Sequence, residues 1–390
     1  MVHRGIRALV SRVVFLAQLA ALAVSVAVLC TSCGGEAGGP TASAKGGALV
    51  TSPTLTPQAS GTINRLDSVM ALNERVVWAS GRGGTVVRTL DGGETWETHV
   101  VPGAEALAFR DIHAVSQDVA FVLTNNGGPN ARIYKTEDGG ATWTLHFQSP
   151  IADTFYDCFA FWTPQAAIAI PDAEFGRFDV IRMTDGQHWE NIGDLFPPGQ
   201  PGEGLFPASG TCVTTRGGQR AWAVMGGGAQ PRVIVTTDRG DTWTSYPIPM
   251  GGTPSSGGLS IVFRDNNRGI LGGGEVAAPT VQQDNFARSD DGGKTWKLAT
   301  AAPFPGPIYG LGYATHGGGE TGVHEEDSET EGAGHHLTIV GTGPGGSAWS
   351  PDEGDTWQAL PISGFVSVSF GSERTGWLVG FSGRITRIDF

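Results

Sequence analysis

Charged side chains are scarce in this chain: they make up only 16% of its 390 residues, and no basic cluster occurs. Acidic residues outnumber basic residues by 38 to 25, which gives a formal net charge of -13. An acidic surface repels the phosphates of nucleic acids and the head groups of anionic lipids. The composition therefore argues against nucleic acid as a partner.

Long apolar runs are missing after residue 30, so no later segment reaches the ~20 residues that a membrane-spanning helix needs. The one earlier run, VVFLAQLAALAVSVAVL, follows three arginines, in the order typical of an export signal. Its end resembles a bacterial lipoprotein signal in which Cys33 is lipidated, although Cys30 stands where leucine is usual. We expect residues 1–33 to be this signal, and the protein to be periplasmic or on the cell surface, lipid-anchored to a membrane. An ordinary signal peptide is the alternative.

Apolar residues are also few between residues 34 and 60, where small and polar residues predict a flexible tether with a closing strand near 48–57. Over the whole chain, 60 glycines and 23 prolines accompany an apolar content of 39%. This profile suits short strands joined by tight turns, in a domain that spans residues 61–390.

One short stretch is nearly repeated along the chain. RTLDGGETW ends at Trp96, and related stretches end at Trp143, Trp189, Trp243, Trp296 and Trp357. The intervals between these tryptophans are 47, 46, 54, 53 and 61 residues. A period of roughly 50 residues in a strand-rich sequence predicts the four-stranded blades of a β-propeller.

Each repeat predicts a hairpin turn between the third and fourth strands of a blade. Its aspartate can accept hydrogen bonds from turn amides, and its glycine supplies a positive φ. Five copies match the Asp-box, or BNR repeat, Ser/Thr-x-Asp-x-Gly-x-Thr-Trp, whereas TDGQHW (184–189) is one residue short and predicts a different turn. The aspartates with this expected structural role are Asp91, Asp138, Asp238, Asp291 and Asp352.

The boxes and four further stretches give the chain a family resemblance. The stretches are FRDIHA (109–114), FYDCFAFW (155–162), GRFDVIR (176–182) and GEGLFPASGTC (202–212). Over roughly residues 61–390 the chain resembles bacterial proteins related to the photosystem II stability/assembly factor, many of which carry an oxidoreductase or glycosyl hydrolase label. The resemblance implies an exported seven-bladed propeller of the WD40/YVTN/BNR-like kind that binds or assembles other proteins.

The number of sequence repeats also predicts seven blades. Six units end in a box, and the last unit, at 364–390, has only three strands. An N-terminal strand is expected to complete this last blade and so remove the open edge of the ring. The predicted fold class is therefore all-β, a seven-bladed β-propeller of four-stranded blades.

Two motifs suggest chemistry that their context does not support. GTGPGG (341–346) fits a dinucleotide fingerprint, but Pro351 and an Asp-box follow where a helix must begin, so a Rossmann-type oxidoreductase is rejected. The insertion 315–337 holds four histidines and several carboxylates, but their spacing matches no compact metal site. We expect a solvated loop there, and neither metal nor cofactor.

Two cysteines, Cys158 and Cys212, occupy corresponding places in the first strands of blades three and four. An exported protein permits a disulfide, and first strands converge near a propeller axis. We expect this bond, with a contribution of ~3–4 kcal/mol to stability. If equal register points both side chains the same way, two buried thiols remain instead.

Polar residues concentrate at the strand ends opposite the boxes, in loops that differ from blade to blade. Such loops on rigid scaffolds usually carry recognition. The candidate binding residues are Arg110, Asp111, Tyr156, Asp157, Asp172, Arg177 and Glu203. Structural pairing between arginines and carboxylates is the alternative explanation.

The expected function is that of a monomeric, non-catalytic binding or assembly platform for an envelope protein or protein complex. The Asp-box aspartates recur in separate blades and cannot converge on one substrate, and no sialidase-type arginine motif is present. A glycoside hydrolase or sialidase-like enzyme that uses two carboxylates at the channel mouth is the alternative.

Overall fold

A computed structural model describes residues 52–206, 208–315 and 337–390. The predicted export signal with Cys33, most of the tether and nearly all of the insertion 315–337 lie outside the described residues. In the described part, no helix is long and apolar enough to cross a membrane. These residues instead form 32 strands and two short 3-10 turns, Gly128–Asn130 and Phe381–Gly383.

The strands form seven four-stranded antiparallel sheets, the blades of a β-propeller. The first strand, β1 (Thr54–Ala59), belongs to the last blade. Blade one contains β2 (Leu66–Ala71), β3 (Val77–Gly81), β4 (Thr85–Thr89) and β5 (Glu97–Val100). Blade two contains β6 (Phe109–Ala114), β7 (Ala120–Thr124), β8 (Arg132–Thr136) and β9 (Thr144–Gln148).

Blades three and four carry additional short strands. Blade three runs through β10 (Tyr156–Thr163) and β11 (Ala166–Pro171), then a small hairpin of β12 (Ala173–Glu174) and β13 (Arg177–Phe178), then β14 (Ile181–Met183) and β15 (Trp189–Asn191). The short strand β16 (Glu203–Gly204) follows. Blade four contains β17 (Val213–Arg216), β18 (Arg220–Val224), β20 (Arg232–Thr236) and β21 (Thr244–Pro247), with β19 (Gly226–Gly227) between β18 and β20.

The last three blades complete the ring. Blade five contains β22 (Ser256–Phe263), β23 (Gly269–Glu275), β24 (Phe286–Ser289) and β25 (Lys297–Leu298), and β19 and β16 extend its sheet. Blade six contains β26 (Gly310–Tyr313), β27 (Ile339–Gly343), β28 (Gly346–Ser350) and β29 (Gln358–Leu360). Blade seven contains β30 (Phe365–Phe370), β31 (Thr375–Gly380) and β32 (Arg384–Asp389), with β1 as its fourth strand.

Burial decreases from the axis outward. In blade one every residue of β3 and β4 is buried, whereas β5 is largely exposed. Inner strands are covered on both faces by neighbouring blades, which explains their nearly continuous apolar sequence. Large rings fill the space between blades, and Trp78, Trp222, Trp349 and Trp377 are fully buried.

The Asp-box turns are closed by side-chain hydrogen bonds. In the first box, Thr89 donates to Asp91 (2.7 Å) and accepts from the amide of Gly93 (2.9 Å). Asp91 also accepts from the amide (2.9 Å) and the hydroxyl (2.6 Å) of Thr95. The same bonds recur in the other four matching boxes.

The shortened copy of the motif, at residues 184–189, makes a different turn, as expected. Asp185 accepts from the amides of Gln187 (2.9 Å) and His188 (2.8 Å). Its second oxygen lies 2.7 Å from the His188 ring, which takes the place of the threonine hydroxyl.

The N-terminal strand closes the ring, as the strand count predicts. β1 pairs antiparallel with β32, from Thr54 opposite Asp389 to Ala59 opposite Arg384. Each first strand also contacts the first strands of both neighbouring blades, so the seven blades form a closed circle.

A disulfide joins blades three and four in the structure. It links Cys158 on β10 to Cys212, which immediately precedes β17, and the Cα atoms are 6.0 Å apart. Both residues are fully buried. The corresponding strand positions therefore allow the two side chains to face each other.

Candidate functional site

Loops between second and third strands, together with the connections between blades, gather on one side of the ring. Antiparallel strands alternate in direction, so these loops lie opposite the Asp-box turns. We call this side the mouth face; its loops between second and third strands include residues 82–84, 125–131, 172–180 and 276–285.

The chain itself fills the central axis near this face. Ser209, in the connection between blades three and four, donates to the carbonyl of Tyr309 (2.7 Å), at the start of blade six. Ser367 of blade seven donates to the carbonyl of Ser209 (3.2 Å). Thr211 lies 2.7 Å from the hydroxyl of Ser260 in blade five.

Gly210, between these residues, is pressed against blades one and two. A Cβ added to Gly210 would lie 2.3 Å from Asp111 Oδ1 and 2.8 Å from Ser68 Oγ, and its φ of +77° also favours glycine. The segment 209–211, which we call the plug, therefore reaches five other blades. A ligand is expected to lie on the mouth face rather than inside the channel.

Three arginines surround one buried aspartate on the mouth face. Asp67, on β2, is fully buried, and its Oδ1 lies 2.5 Å from Arg65 Nε and 3.3 Å from Arg110 Nη1. Arg82 Nε lies 3.8 Å from the other oxygen of Asp67. One carboxylate is thus approached by three guanidinium groups. We call these four residues the arginine cluster.

Arg65 stays charged, and part of the arginine cluster is open to solvent. Burial lowers the pKa of Arg65 to about 10, with Asp67 opposing this effect, so its guanidinium remains protonated at neutral pH. The Arg65 side chain lies over the ring of Phe381, 4.6 Å from its centre. The side chains of Arg82 and Arg110 are 32% and 14% exposed, so a ligand can reach both.

Asn125 further fixes the position of Arg110. With its amide oriented to satisfy both groups, the Asn125 oxygen accepts from Arg110 Nε (2.6 Å) and Nη2 (3.2 Å). Arg110 is thus held by the carboxylate of Asp67 on blade one and by the amide of Asn125 on its own blade, blade two. A guanidinium held in this way is pre-organised to bind a carboxylate.

A buried carboxyl group lies beside the arginine cluster. Asp157 is fully buried, and neither of its oxygens accepts a hydrogen bond from the described residues. Burial raises the pKa of Asp157 well above its usual value, the neighbouring Asp172 raises it further, and Arg110 opposes this effect. The Asp157 carboxyl is therefore protonated where exposed aspartates are ionised. A protonated Asp157 can donate to Asp172, which also accepts from the amide of Leu205 (2.9 Å).

Two of the other four sequence-predicted residues make bracing contacts. Asp111 is buried and accepts from Ser68 (3.3 Å) and from the amide of Phe159 (3.0 Å), which ties blades one, two and three together. Tyr156 is buried and donates to the carbonyl of Asp179 (3.1 Å).

The remaining two predicted residues lie in ion pairs. Glu203 is buried and accepts from Arg232 Nε (2.6 Å) and Nη2 (2.8 Å). Arg177 is exposed and contacts Asp179 (3.2 Å) and Asp194 (2.5 Å). The structure thus brings Arg110, Asp157 and Asp172 together, whereas Glu203 and Arg177 belong to separate pairs.

Sequence reasoning overlooked Arg65, Asp67 and Arg82, the blade-one part of the arginine cluster. A signal for two of them was present, since RLD (65–67) opens the first strand of blade one as RD (110–111) opens that of blade two. An alignment of the first strands of the blades would have shown that these charged residues lie at the same height along the propeller axis.

In the part of the chain that the structure describes, no group of three or more metal-ligating side chains occurs. The buried Asp111 and Asp157 have almost no surface from which to protonate a substrate. A glycosidase needs a pair of carboxyl groups at an open cleft. Asp111 and Asp157 do not form such a pair.

The fold and its turns define the class: a seven-bladed β-propeller with Asp-box repeats. Residues 287–298, which hold the fourth matching box, match the family model of the BNR/Asp-box repeat. Within this class the chain is similar to the photosystem II assembly lipoprotein Ycf48 of Synechococcus sp. (strain CC9902). The two are 24% identical over 233 residues, which cover 56% of this chain and 57% of that protein. The match therefore spans little more than half of the relative.

Solved structures show the same fold over most of the chain. YCF48 bound to D1 peptide has a TM-score of 0.61 at 17% identity, and the match covers 87% of this chain and 97% of that one. YCF48 from Cyanidioschyzon merolae has a TM-score of 0.59 at 15% identity, with coverage of 86% and 98%. The GH74 enzyme of Niastella koreensis has a TM-score of 0.56 at 14% identity, with coverage of 85% and 53%.

Proposed function

We propose that this chain is an exported, lipid-anchored, non-catalytic binding platform of the assembly-factor type for an envelope protein or complex. The observation that carries the proposal is the arginine cluster, which gathers three guanidinium groups, two of them partly exposed, on a molecule with a net charge of -13. The ligand group that this cluster fits is a carboxylate on a polypeptide segment, because a guanidinium can bind both oxygens of a carboxylate at once.

The comparisons support this proposal. One of the similar propellers is an assembly lipoprotein, and one was solved with a bound peptide. The plug gives a second line of support. It fills the axis and leaves the mouth face as the accessible surface near the arginines. Of the binding residues predicted from the sequence, Arg110 and Asp172 belong to the proposed site, and the buried Asp157 lies behind them.

The experiment that tests this function compares Arg110→Gln with Arg268→Gln. Arg268 is a matched control because its side chain is 57% exposed and lies in the loop between β22 and β23, away from the mouth face. Each variant is used to capture crosslinked proteins from membranes of the producing cells. We expect Arg110→Gln to lose its partner at an unchanged melting temperature and Arg268→Gln to retain it. Equal capture by both variants would contradict the proposal.

Lipid anchoring is tested separately from binding. We expect a Cys33→Ser variant to move from the membrane fraction to the soluble fraction. A Cys30→Ser variant should remain with the membranes and serves as the control. If only Cys30→Ser is released, the lipid is carried by the other cysteine.

A glycoside hydrolase is the second candidate, and the likeness to a GH74 enzyme is the observation in its favour. The test is to incubate the protein with β-glucan polysaccharides and measure new reducing ends. We expect none above the level of an Asp172→Asn variant. Release that depends on Asp172 would favour the enzyme.

A further inference from the structure

The small hairpin of blade three carries an exposed aromatic side chain at its tip. Ala173 pairs with Phe178 and Glu174 pairs with Arg177, which leaves Phe175 and Gly176 as the turn. Phe175 is 94% exposed, the largest value among the large apolar side chains of the described residues. None of the described residues covers this ring.

The turn also holds Phe175 in an unfavourable backbone conformation. The φ angles of Phe175 and Gly176 are 52° and 81°, which fit a two-residue hairpin turn that prefers Asn-Gly. Phenylalanine rarely adopts a positive φ. The sequence therefore keeps a large apolar residue where both solvation and backbone geometry favour a small polar one. Such a conflict is typical of a residue retained for function.

The base of this hairpin is rigid. Ala173 and Phe178 are buried, and the amide of Gly199 donates to the carbonyl of Gly176 (2.9 Å). Arg177 is held between Asp179 and Asp194. The backbone that carries Phe175 is thus held in place, which lowers the entropy that the hairpin loses when it binds.

Further exposed apolar side chains lie on the same face. Leu195 is 48% exposed and follows Asp194, the partner of Arg177. Ile63, just before blade one, is 87% exposed. The hairpin itself begins next to Asp172, which neighbours Asp157 and so connects it to the surroundings of Arg110. Apolar and positively charged groups therefore share the mouth face.

We propose that Phe175 packs against an apolar side chain of the polypeptide whose carboxylate binds the arginine cluster. This inference rests on the proposed function and specifies its ligand: an extended segment with an aliphatic or aromatic residue a short distance from a carboxylate. The charge orients the segment, and the aromatic contact supplies affinity, as buried aromatic residues commonly do at interfaces.

The experiment uses short synthetic peptides of serine, glycine and alanine with a fluorescent label. One set has a free C-terminal carboxylate and a single phenylalanine at increasing distance from it. The second set lacks the phenylalanine, and the third has an amidated C-terminus. Anisotropy titrations with the wild-type protein should show the tightest binding for one phenylalanine position with a free carboxylate.

Two variants of the hairpin then test the residue itself. Phe175→Ala and Phe175→Asn should weaken the best peptide by roughly tenfold, to the level of the peptide without phenylalanine. Phe175→Asn should also raise the melting temperature, since asparagine tolerates the turn. Leu145→Ala, which alters an exposed leucine on the outer strand β9, is the control and should bind as the wild type does.

Several results would overturn this inference. If both Phe175 variants bind the best peptide as tightly as the wild type does, and still prefer a free C-terminus to an amidated one, Phe175 does not contact the ligand. The proposed carboxylate site would be unaffected by that result. Loss of affinity only in step with a lower melting temperature would make Phe175 a structural residue. Absence of binding by every peptide to the wild type would overturn the inference together with the peptide-binding function.

Discussion

At the scale of single residues, the Asp-box aspartates behave as structural groups. Hydrogen bonds from the hydroxyl and amide of Thr95, and from Thr89, lower the pKa of Asp91 to about 2. Because this pKa lies below that of the unfolded chain, the stabilisation is complete above pH ~4 and is lost as the pH falls towards 2. The boxes therefore contribute to acid unfolding and play no part in proton transfer near neutral pH.

The fourth matching box offers a test with an internal control. Asp291 accepts from Ser289 (2.9 Å), from two turn amides (3.0 and 2.9 Å) and from Thr295 (2.6 Å), whereas its neighbour Asp290 is exposed. We expect Asp291→Ala to lower the free energy of unfolding by about 1–3 kcal/mol, because these donors lose their acceptor. Asp290→Ala should change it little. Urea unfolding of both variants measures the difference, and equal effects would contradict the structural role.

The buried Asp157 should act on stability in the opposite direction. Its pKa is raised by burial and by Asp172, so the folded state keeps a proton that the unfolded chain releases above pH ~4. Stability therefore falls as the pH rises from about 4 towards the pKa of the folded state. An Asp157→Asn variant removes this titration.

We expect Asp157→Asn to have a higher free energy of unfolding than the wild type at pH 7 and a flatter dependence between pH 4 and 7. Unfolding curves at several pH values measure both quantities. Asp153→Asn, at an exposed residue of the preceding connection, is the control and should follow the wild type. A variant less stable than the wild type at pH 7 would show that Asp157 is ionised in the fold.

At the scale of elements, one side chain of β1 ties the closing strand to two blades. Gln58 accepts from the indoles of Trp96 and Trp377 (both 3.2 Å) and donates to the carbonyl of Gly92 (3.0 Å). Trp377 is fully buried, so its indole N–H has no access to water if this acceptor is lost. The fourth strand of blade seven is thereby connected to the first Asp-box.

We expect Gln58→Ala to lower the free energy of unfolding by about 1–3 kcal/mol, because it leaves a buried donor unsatisfied. Thr56→Ala, at an exposed residue of the same strand, is the control and should have little effect. Hydrogen exchange should show faster exchange in β32 for the Gln58 variant alone. Equal exchange in both variants would mean that the backbone pairing of β1 suffices for closure.

The elements themselves could largely be predicted from the sequence, and the site only in part. The Asp-box recurs because each blade repeats the same turn, and the missing fourth strand of the last unit required an N-terminal donor. The arginine cluster, in contrast, combines strand and loop residues of two blades, and only their packing around Asp67 brings the charges together. The plug was unpredictable for the same reason, since its partners lie in blades distant along the chain.

At the scale of the whole molecule, arginines have different arrangements on the two sides of the ring. On the Asp-box side, Arg182 contacts Asp241 (2.6 Å) and Arg288 contacts Asp355 (2.7 Å), each on the next blade. These arginines join neighbouring blades by single ion pairs, whereas the arginine cluster on the mouth face gathers three guanidinium groups around one aspartate. This difference agrees with the proposed function, in which binding takes place on the mouth face.

The disulfide is a covalent link between two neighbouring blades. Cys158 and Cys212 are separated by 54 residues of sequence, and Cys212 directly follows the plug residue Thr211. In the chain-entropy description, a crosslink of this length stabilises the fold by ~3–4 kcal/mol, because it restricts the unfolded chain. It also fixes one end of the plug to the inner strand of blade three.

We expect a Cys158→Ala/Cys212→Ala double variant to lose about 3–4 kcal/mol of unfolding free energy relative to the oxidised wild type. Reductant should lower the stability of the wild type and leave the variant unchanged, which separates the crosslink from the loss of two buried side chains. Binding at the mouth face should persist in the folded variant, because the arginine cluster lies on blades one and two. If the variant loses its partner while still folded, the crosslinked plug helps to shape the binding surface; if its stability equals that of the wild type, the two cysteines are not bonded in solution.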